Sequence, residues 1–376
     1  MRILVVIHEY PPIGGGGGKV AQVICEGLAK RGHELQVITS HFDDLPYLEE
    51  KPNLTIRRID SQRKHTFQAG LDTMFSYMVN GAVQGTRLAR EWKPDLIHVH
   101  FAVPNGAAAW WISRRTRIPY VLTTHLGDVP GGSPHKTAQW FRWIRPFTPP
   151  IWKNAARIAA VSGFTRDLAL KHYPVAIDVI PNGVDLQTVK PTSLEPHEVP
   201  EIVFAGRFVD QKNPLQIIRT LARLTDLPWH CTLVGDGALR PDMEAEIQQH
   251  QLQERFTFSG WIPPEQVLKQ YERSDIMFMP SRTEGLPVVG VEAMSMGLAL
   301  VLGKAGGNLD LVEQGVNGYL VDSDYTDGFE KALRSLLSDR EHLRSARVQS
   351  RAFAARFDLK RVVQDYEKLF TEAISQ

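Results

Sequence analysis

The chain has 376 residues, 43% of them hydrophobic and 23% charged, with 43 Lys/Arg against 42 Asp/Glu for a formal net charge of +1. Those proportions exclude a disordered or low-complexity protein, and the length predicts about two globular domains. Two cysteines far apart in sequence, Cys25 and Cys231, exclude a disulfide framework, and no stretch reaches the roughly 18 apolar residues of a membrane span, so a cytoplasmic protein is expected. The N-terminal apolar run is shorter than a signal-peptide core. Charge is unevenly divided: residues 1–190 carry 23 Lys/Arg against 15 Asp/Glu, and residues 191–376 carry 20 against 27. A basic half suits an anionic surface or ligand, although a solvated surface of no consequence is the commoner explanation.

"RILVVI" reads as a buried parallel strand, and Val20 to Leu28 carry apolar residues at helical spacing. Gly14 to Gly18 therefore lie on a strand-to-helix turn, where bare backbone and a helix N-terminus suit an anion or a sugar. A P-loop is excluded by Ile13 and Val20 at its required Gly and Ser/Thr positions. A nicotinamide site is disfavoured because the second strand ends in Thr39, Ser40 and His41 rather than an acid. A flexible turn with no ligand remains open on the loop alone.

Apolar runs then alternate with helical stretches: "ELQVITS", "LTIRRI", "DLIHVH", "YVLTTH", "RIAAVS" and "DVIPNG" in the first half, "EIVFAGR", "HCTLVGDG", "FTFSGW", "DIMFMPS", "LALVLGK" and "GYLV" in the second. The rhythm predicts two doubly wound parallel sheets, with ligands at the carboxyl ends of the strands. Between them "LQTVKPTSLEPHEVP" has the composition of a linker. At the C-terminus Leu359, Val362, Val363, Tyr366, Leu369, Phe370, Ala373 and Ile374 form a one-sided helical stripe that must pack on something.

The chemistry concentrates in the second half. Arg207 and Lys212 sit five apart after a strand, placed to neutralise a diphosphate, although taken alone they read more simply as solvated surface charges. Further on, Glu284 lies on a turn and Glu292 inside the following helix, with Gly285 freeing the chain and Pro287 in the first helical turn. Glu292 is suited to accept both hydroxyl protons of a ribose, and in the nearly apolar "VVGVEAMSMG" an unpaired acid would be costly. Glu284 is suited to reach a sugar.

The combination "AGRFVDQKNP", "LVGDG", "FSGWIPPEQV" and "PSRTEGLPVVGVEAMSMG", with "PNGVD" and "EYPPIGGGGG", resembles the family 4 glycosyltransferases along nearly the whole chain. The resemblance implies an α/β GT-B fold, two Rossmann-like doubly wound domains facing across a cleft, with the C-terminal helix returning to the first. The corresponding boundaries are 1–188 for the acceptor side, 189–357 for the nucleotide-sugar side and 358–376 for the returning helix. It implies retention of anomeric configuration with no essential metal or other cofactor. The expected catalytic residues are His125, Arg207, Lys212 and Glu284. The expected donor contacts are Gly15, Gly16, Gly235, Gly285, Leu286, Pro287 and Glu292. His125 in "TTHLGD" matches the family's histidine beside the donor sugar, but "LGD" departs from the commoner Gly-Gly form and leaves acceptor contacts open. His98 and His100 are read as core and cleft wall rather than metal ligands, and "DSD" at Asp322 to Asp324 as a solvated loop.

The expected function is transfer of a hexosyl unit from a UDP- or GDP-sugar to a hydroxyl acceptor in glycan, lipid-linked glycan or glycoconjugate synthesis. Two alternatives stand beside it: a nucleotide-sugar epimerase on the same fold, and a non-catalytic carbohydrate-binding subunit. No nucleic-acid partner is expected. In the basic first half, "HTFQAGLDTMFSYMV" and Trp140, Phe141, Trp143 and Ile144 among Arg142, Arg145 and Lys153 suit peripheral contact with an anionic inner membrane face; the alternative is that they close the core.

Overall fold

The computed structural model describes residues 1–66, 69–132 and 141–375. Trp140 lies outside these. The chain divides into two compact units, Met1–Gly183 with Leu359–Gln376 and Val184–Asp358.

The first unit holds β1 (Arg2–Val6), β2 (Glu34–Ser40), β3 (Leu48–Lys51), β4 (Leu54–Ile59), β5 (Leu96–His100), β6 (Tyr120–Thr124), β7 (Arg157–Ala160) and β8 (Asp178–Val179). They form one sheet in the order β3-β4-β2-β1-β5-β6-β7-β8, parallel except where β3 runs against β4. The helices between them are α1 (Gly16–Lys30), α2 (Leu71–Trp92), α3 (Ala107–Thr116), α4 (Pro149–Lys153) and α5 (Gly163–Leu170). Because both sheet faces are covered, the central strands β5 and β6 are buried at every residue and β1 at all but its first, and they are largely apolar rather than apolar on alternate residues. On one face Leu4, Val6, Ile97, Val99 and Leu122 pack with Tyr77 of α2 and Trp152 of α4. Strand order reverses at β1, which has β2 on one side and β5 on the other, and such a switch point is where parallel sheets bind ligands. Strand β3, "LEEK", escapes the apolar-run reading because it is a charged, mostly exposed edge.

The second unit is a parallel sheet of β9 (Glu201–Ala205), β10 (His230–Val234), β11 (Phe256–Gly260), β12 (Ile276–Met279), β13 (Ala299–Gly303) and β14 (Gly318–Val321), in the order β11-β10-β9-β12-β13-β14. Its helices are α6 (Leu215–Leu221), α7 (Arg240–Gln249), α8 (Pro264–Glu272), α9 (Val288–Ser295), α10 (Thr326–Leu337) and α11 (Arg340–Phe353). The proline-rich stretch read as a linker is instead strapped to this unit by arginines one turn or so apart on α11. Arg351 donates to the carbonyls of Leu186 and Val189, Arg347 to Glu195, Arg340 to Pro196 and His197, and Arg344 pairs with Glu195. Composition showed the absence of regular structure but not these long-range donors.

The last helix, α12 (Leu359–Ile374), belongs to the first unit. Its stripe Val362, Val363, Tyr366, Leu369, Phe370 and Ala373 is buried, against α1 and strands β5 to β7. Gly27 allows the close approach, since a Cβ there would lie 2.5 Å from Val363 Cγ2. Glu367 clasps Arg31 and His33 at 2.7 Å each.

Candidate active site

In the second unit the turns after β9, β10, β12 and β13 converge. The turn after β9 is stitched to that after β12 by Arg282 N–H to the Gln211 carbonyl at 2.9 Å and by Gln211 Nε2 to the Thr283 carbonyl at 3.1 Å. This register brings Lys212 Nζ to 2.6 Å from Glu284 Oε1, with both side chains largely buried. Two residues 72 positions apart, read separately as phosphate and sugar contacts, thus form one ion pair. Lys212 keeps further donors for an anion. Arg207 is half-buried, and among the described residues its guanidinium makes no hydrogen bond or ion pair.

The turns fit together through glycines. Gly235 has φ +126°, and a Cβ there would fall 2.0 Å from the Gly206 carbonyl oxygen; at Gly306, φ +55°, it would fall 1.8 Å from that of Glu284. Gly307 N–H donates to the Glu284 carbonyl at 2.9 Å. The Gly306–Gly307 turn was passed over in the sequence, where "GKAGGN" after an apolar strand was the available signal.

Gly285 and the buried Leu286 lead into α9, whose N-cap is Pro287. The helix starts one residue later than expected, so Pro287 precedes the first turn and Val288 opens it. In that turn Gly290 N–H donates to the Pro287 carbonyl at 3.0 Å, while the Val288 and Val289 amides have no intrahelical acceptor and carry the positive end of the dipole. Glu292 is half-buried inside α9, and its charge adds to burial in raising the Tyr271 hydroxyl well above the ordinary tyrosine range. The "DSD" loop braces the site: Asp324 pairs with Arg282 at 2.7 Å, and Ser323 Oγ donates to the Ser281 carbonyl. Among the described residues no group of three or more His, Cys, Asp or Glu side chains could hold a metal ion.

In the first unit the corresponding place is the carboxyl ends of β1, β5 and β6. Gly15 is the N-cap of α1 and Gly16 its first residue. Packing accounts for three of the five glycines: a Cβ at Gly14 would strike the Glu9 side chain, at Gly17 the Phe101 ring and at Gly18 the Glu9 carbonyl, whereas at Gly15 it meets nothing within 4 Å. Glu9 Oε2 accepts from the Gly15 amide at 3.3 Å. His125 is half-buried just beyond β6, and Asp128, buried, accepts from the amides of His125 at 2.9 Å and Ala102 at 2.7 Å. Burial raises the Asp128 carboxyl above its usual range and drives the imidazoles of His98 and His125 down to about 3. His98 and His100 are fully buried on β5. Asn105, which sequence reasoning missed, ties His8 on one side to the His100 carbonyl on the other.

The two halves match two family models that meet end to end, "Glycosyltransferase Family 4" over residues 14–188 and "Glycosyl transferases group 1" over 187–353. The chain belongs to the family 4 glycosyltransferases. It is 27% identical to D-inositol 3-phosphate glycosyltransferase of Nocardia farcinica, over 97% of this chain and 86% of that one. It is 26% identical to glycogen synthase of Mycobacterium tuberculosis, over 98% and 91%. Among solved structures, sucrose-phosphate synthase from Thermosynechococcus elongatus superposes with a TM-score of 0.88 at 21% identity, covering 100% of this chain and 99% of that one. HepE from Anabaena, in complex with UDP and glucose, gives 0.77 at 18%, with 99% of each covered. The fold is GT-B, and the enzyme is a glycosyltransferase moving a sugar from a nucleotide-sugar donor to an acceptor.

Proposed function

We propose that the enzyme is a retaining hexosyltransferase that needs no metal, takes a UDP- or GDP-sugar and glycosylates a hydroxyl of a glycan or lipid-linked glycan. The observation that carries this reading is the strand-end cluster of the second unit. There Lys212, held by Glu284, and Arg207, unpaired among the described residues, supply cations, and α9 has its N-terminus. Fixed cations and amides of this kind are worth most where charge develops, on the departing diphosphate. Glu292 is assigned the ribose hydroxyls, Gly235, Gly285, Leu286 and Pro287 the nucleotide and diphosphate, Glu284 and His125 the sugar, and Gly15 and Gly16 the approach of the donor. HepE, whose fold is the same, was solved with UDP and glucose, and this favours the uridine donor. With no covalent nucleophile assigned, attack from the face the diphosphate leaves, with a phosphate oxygen helping to take the acceptor proton, accounts for retention.

The test is a turnover assay in EDTA. Acceptor-dependent release of nucleotide and a product of retained anomeric configuration are expected; activity lost in EDTA and restored by Mg or Mn would contradict the metal-free reading. Nucleotide release that did not depend on acceptor would contradict transfer.

A peripheral membrane contact, on the cytoplasmic face, is favoured by α2. Among the described residues no helix is long and apolar enough to cross a membrane. Yet Leu71, Phe75, Val79 and Val83, four apart on the outward side of α2, are 63%, 66%, 43% and 62% exposed. Past them lie Arg87, paired with Glu91 at 2.8 Å, and Arg90, lining one groove with Trp111 and Arg115 of α3, whose guanidinium sits 4.5 Å over the Trp111 ring. An apolar stripe leading into aromatic and cationic groups is the composition of a helix lying in an anionic interface. The second expected segment divides: Phe141 is buried, Ile144 is half-buried, and Trp143, Arg142, Arg145 and Lys153 are exposed.

A further inference from the structure

Strands β5 and β6 are parallel neighbours; β5 ends in His100, and His125 directly follows Thr124, the last residue of β6. His100 Nδ1 lies 3.0 Å from His125 Nε2. Each histidine is followed by a non-glycine residue in the left-handed region, Phe101 at φ +70° and Leu126 at φ +96°. Conformations of this kind persist only where the surroundings hold them. Here Asp128 clamps both turns through the amides of Ala102 and His125, and Asn105 holds the His100 carbonyl. The geometry of the two imidazoles is therefore imposed from outside the pair.

A hydrogen bond between two neutral imidazoles needs one donor and one acceptor, so two arrangements compete. In one, His100 Nδ1–H donates to His125 Nε2. In the other, His125 Nε2–H donates to His100 Nδ1, and His100 must then carry its own proton on Nε2. That atom is buried and, among the described residues, has no partner. A buried N–H with nothing to donate to is costlier and rarer than a lone pair left without a donor. The same rule orders the neighbour: His98 Nδ1 is buried without a partner, so its proton sits on Nε2 and is donated to Thr123 Oγ1 at 2.9 Å. Thr123 in turn lies 3.3 Å from the Tyr366 hydroxyl on α12.

We propose that His100 is a positioning residue that fixes His125 in the Nδ1–H tautomer, so that His125 presents an N–H donor, not a lone pair, to an oxygen of the donor sugar. This rests on the assignment of His125 to the sugar. His125 cannot then act as a base at that atom; it orients and stabilises an oxygen. Burial keeps all three rings neutral at working pH, consistent with exchange of a single proton-bearing position rather than charge.

The test is the tautomer itself, read in the full chain labelled with 15N-histidine by long-range proton–nitrogen correlation, with the His125 signals assigned by their loss in His125→Gln. His125 protonated on Nδ1 in the unaltered enzyme is expected, and protonation on Nε2 would overturn the inference without any further variant. His100→Asn, whose side-chain amide can replace the Nδ1–H, should keep that signature and most of kcat. His100→Phe should lose the signature and lower kcat roughly ten-fold or more. Equal kcat in His100→Phe and the unaltered enzyme would overturn the positioning role. If the tautomer is as stated but His125→Ala turns over normally, it is the assignment of His125 to the sugar that fails.

Discussion

Single side chains set the acid limit of this protein. The imidazoles of His98 and His125 titrate near 3 in the folded chain, against 6.5 for a free histidine, because burial opposes their charged form, and His8 and His100 shift in the same direction. Between pH 6.5 and 3 the unfolded chain therefore binds more protons than the folded one. The stabilisation is complete above about pH 6.5 and drains away as pH falls. A urea midpoint that drops between pH 7 and pH 5, before most carboxylates titrate, is expected; a flat profile would mean these rings are charged or solvated in the fold. At this scale sequence reading was uneven. Arg207, Lys212 and Glu284 stood out by residue type on strand-end turns, and Glu292 as an acid inside a nearly apolar helix. The Lys212–Glu284 pair did not, because it depends on the register of β9 beside β12. Nor could sequence say that three of five glycines answer to Glu9 and Phe101.

Among the elements, central strands were legible because burial on both faces leaves a largely apolar run, while β3 was not, having no buried face to announce it. The segment before β9 shows what composition omits. It has no periodicity, yet α11 holds it through arginines, the innermost being Arg347, fully buried and paired with the buried Asp275. Asp275 also accepts from the Glu201 amide, anchoring the start of β9. Arg347→Ala would leave that buried carboxylate without its guanidinium and with only the His197 imidazole 3.0 Å away as a basic partner, and breaking a buried pair costs up to about 3–5 kcal/mol. Loss of that order in the unfolding free energy is the expected result, with loosened protection of amides 186–201 in hydrogen exchange. A change under about 1 kcal/mol would mean that the strap is not held by this pair.

For the whole molecule, the proposed function divides between the two units. The first is the basic one, with the apolar stripe of α2 outward; sedimentation with vesicles containing anionic lipid but not with neutral ones, weakened by salt, is the expected behaviour. Phe75→Glu with Val83→Glu should abolish it while leaving turnover on a water-soluble acceptor intact. Binding that survives both substitutions would move the contact elsewhere. The second unit carries the central claim, that the β9 and β12 turns grip the donor's diphosphate. Its most direct test is donor binding measured by calorimetry in EDTA for the unaltered enzyme and for Arg207→Ala, with UDP- and GDP-sugars. A charge-assisted hydrogen bond contributes about 1.5–3 kcal/mol, so Arg207→Ala should weaken the preferred donor roughly ten-fold to a hundred-fold with its thermal unfolding unchanged. Equal affinity in the two proteins would contradict the account.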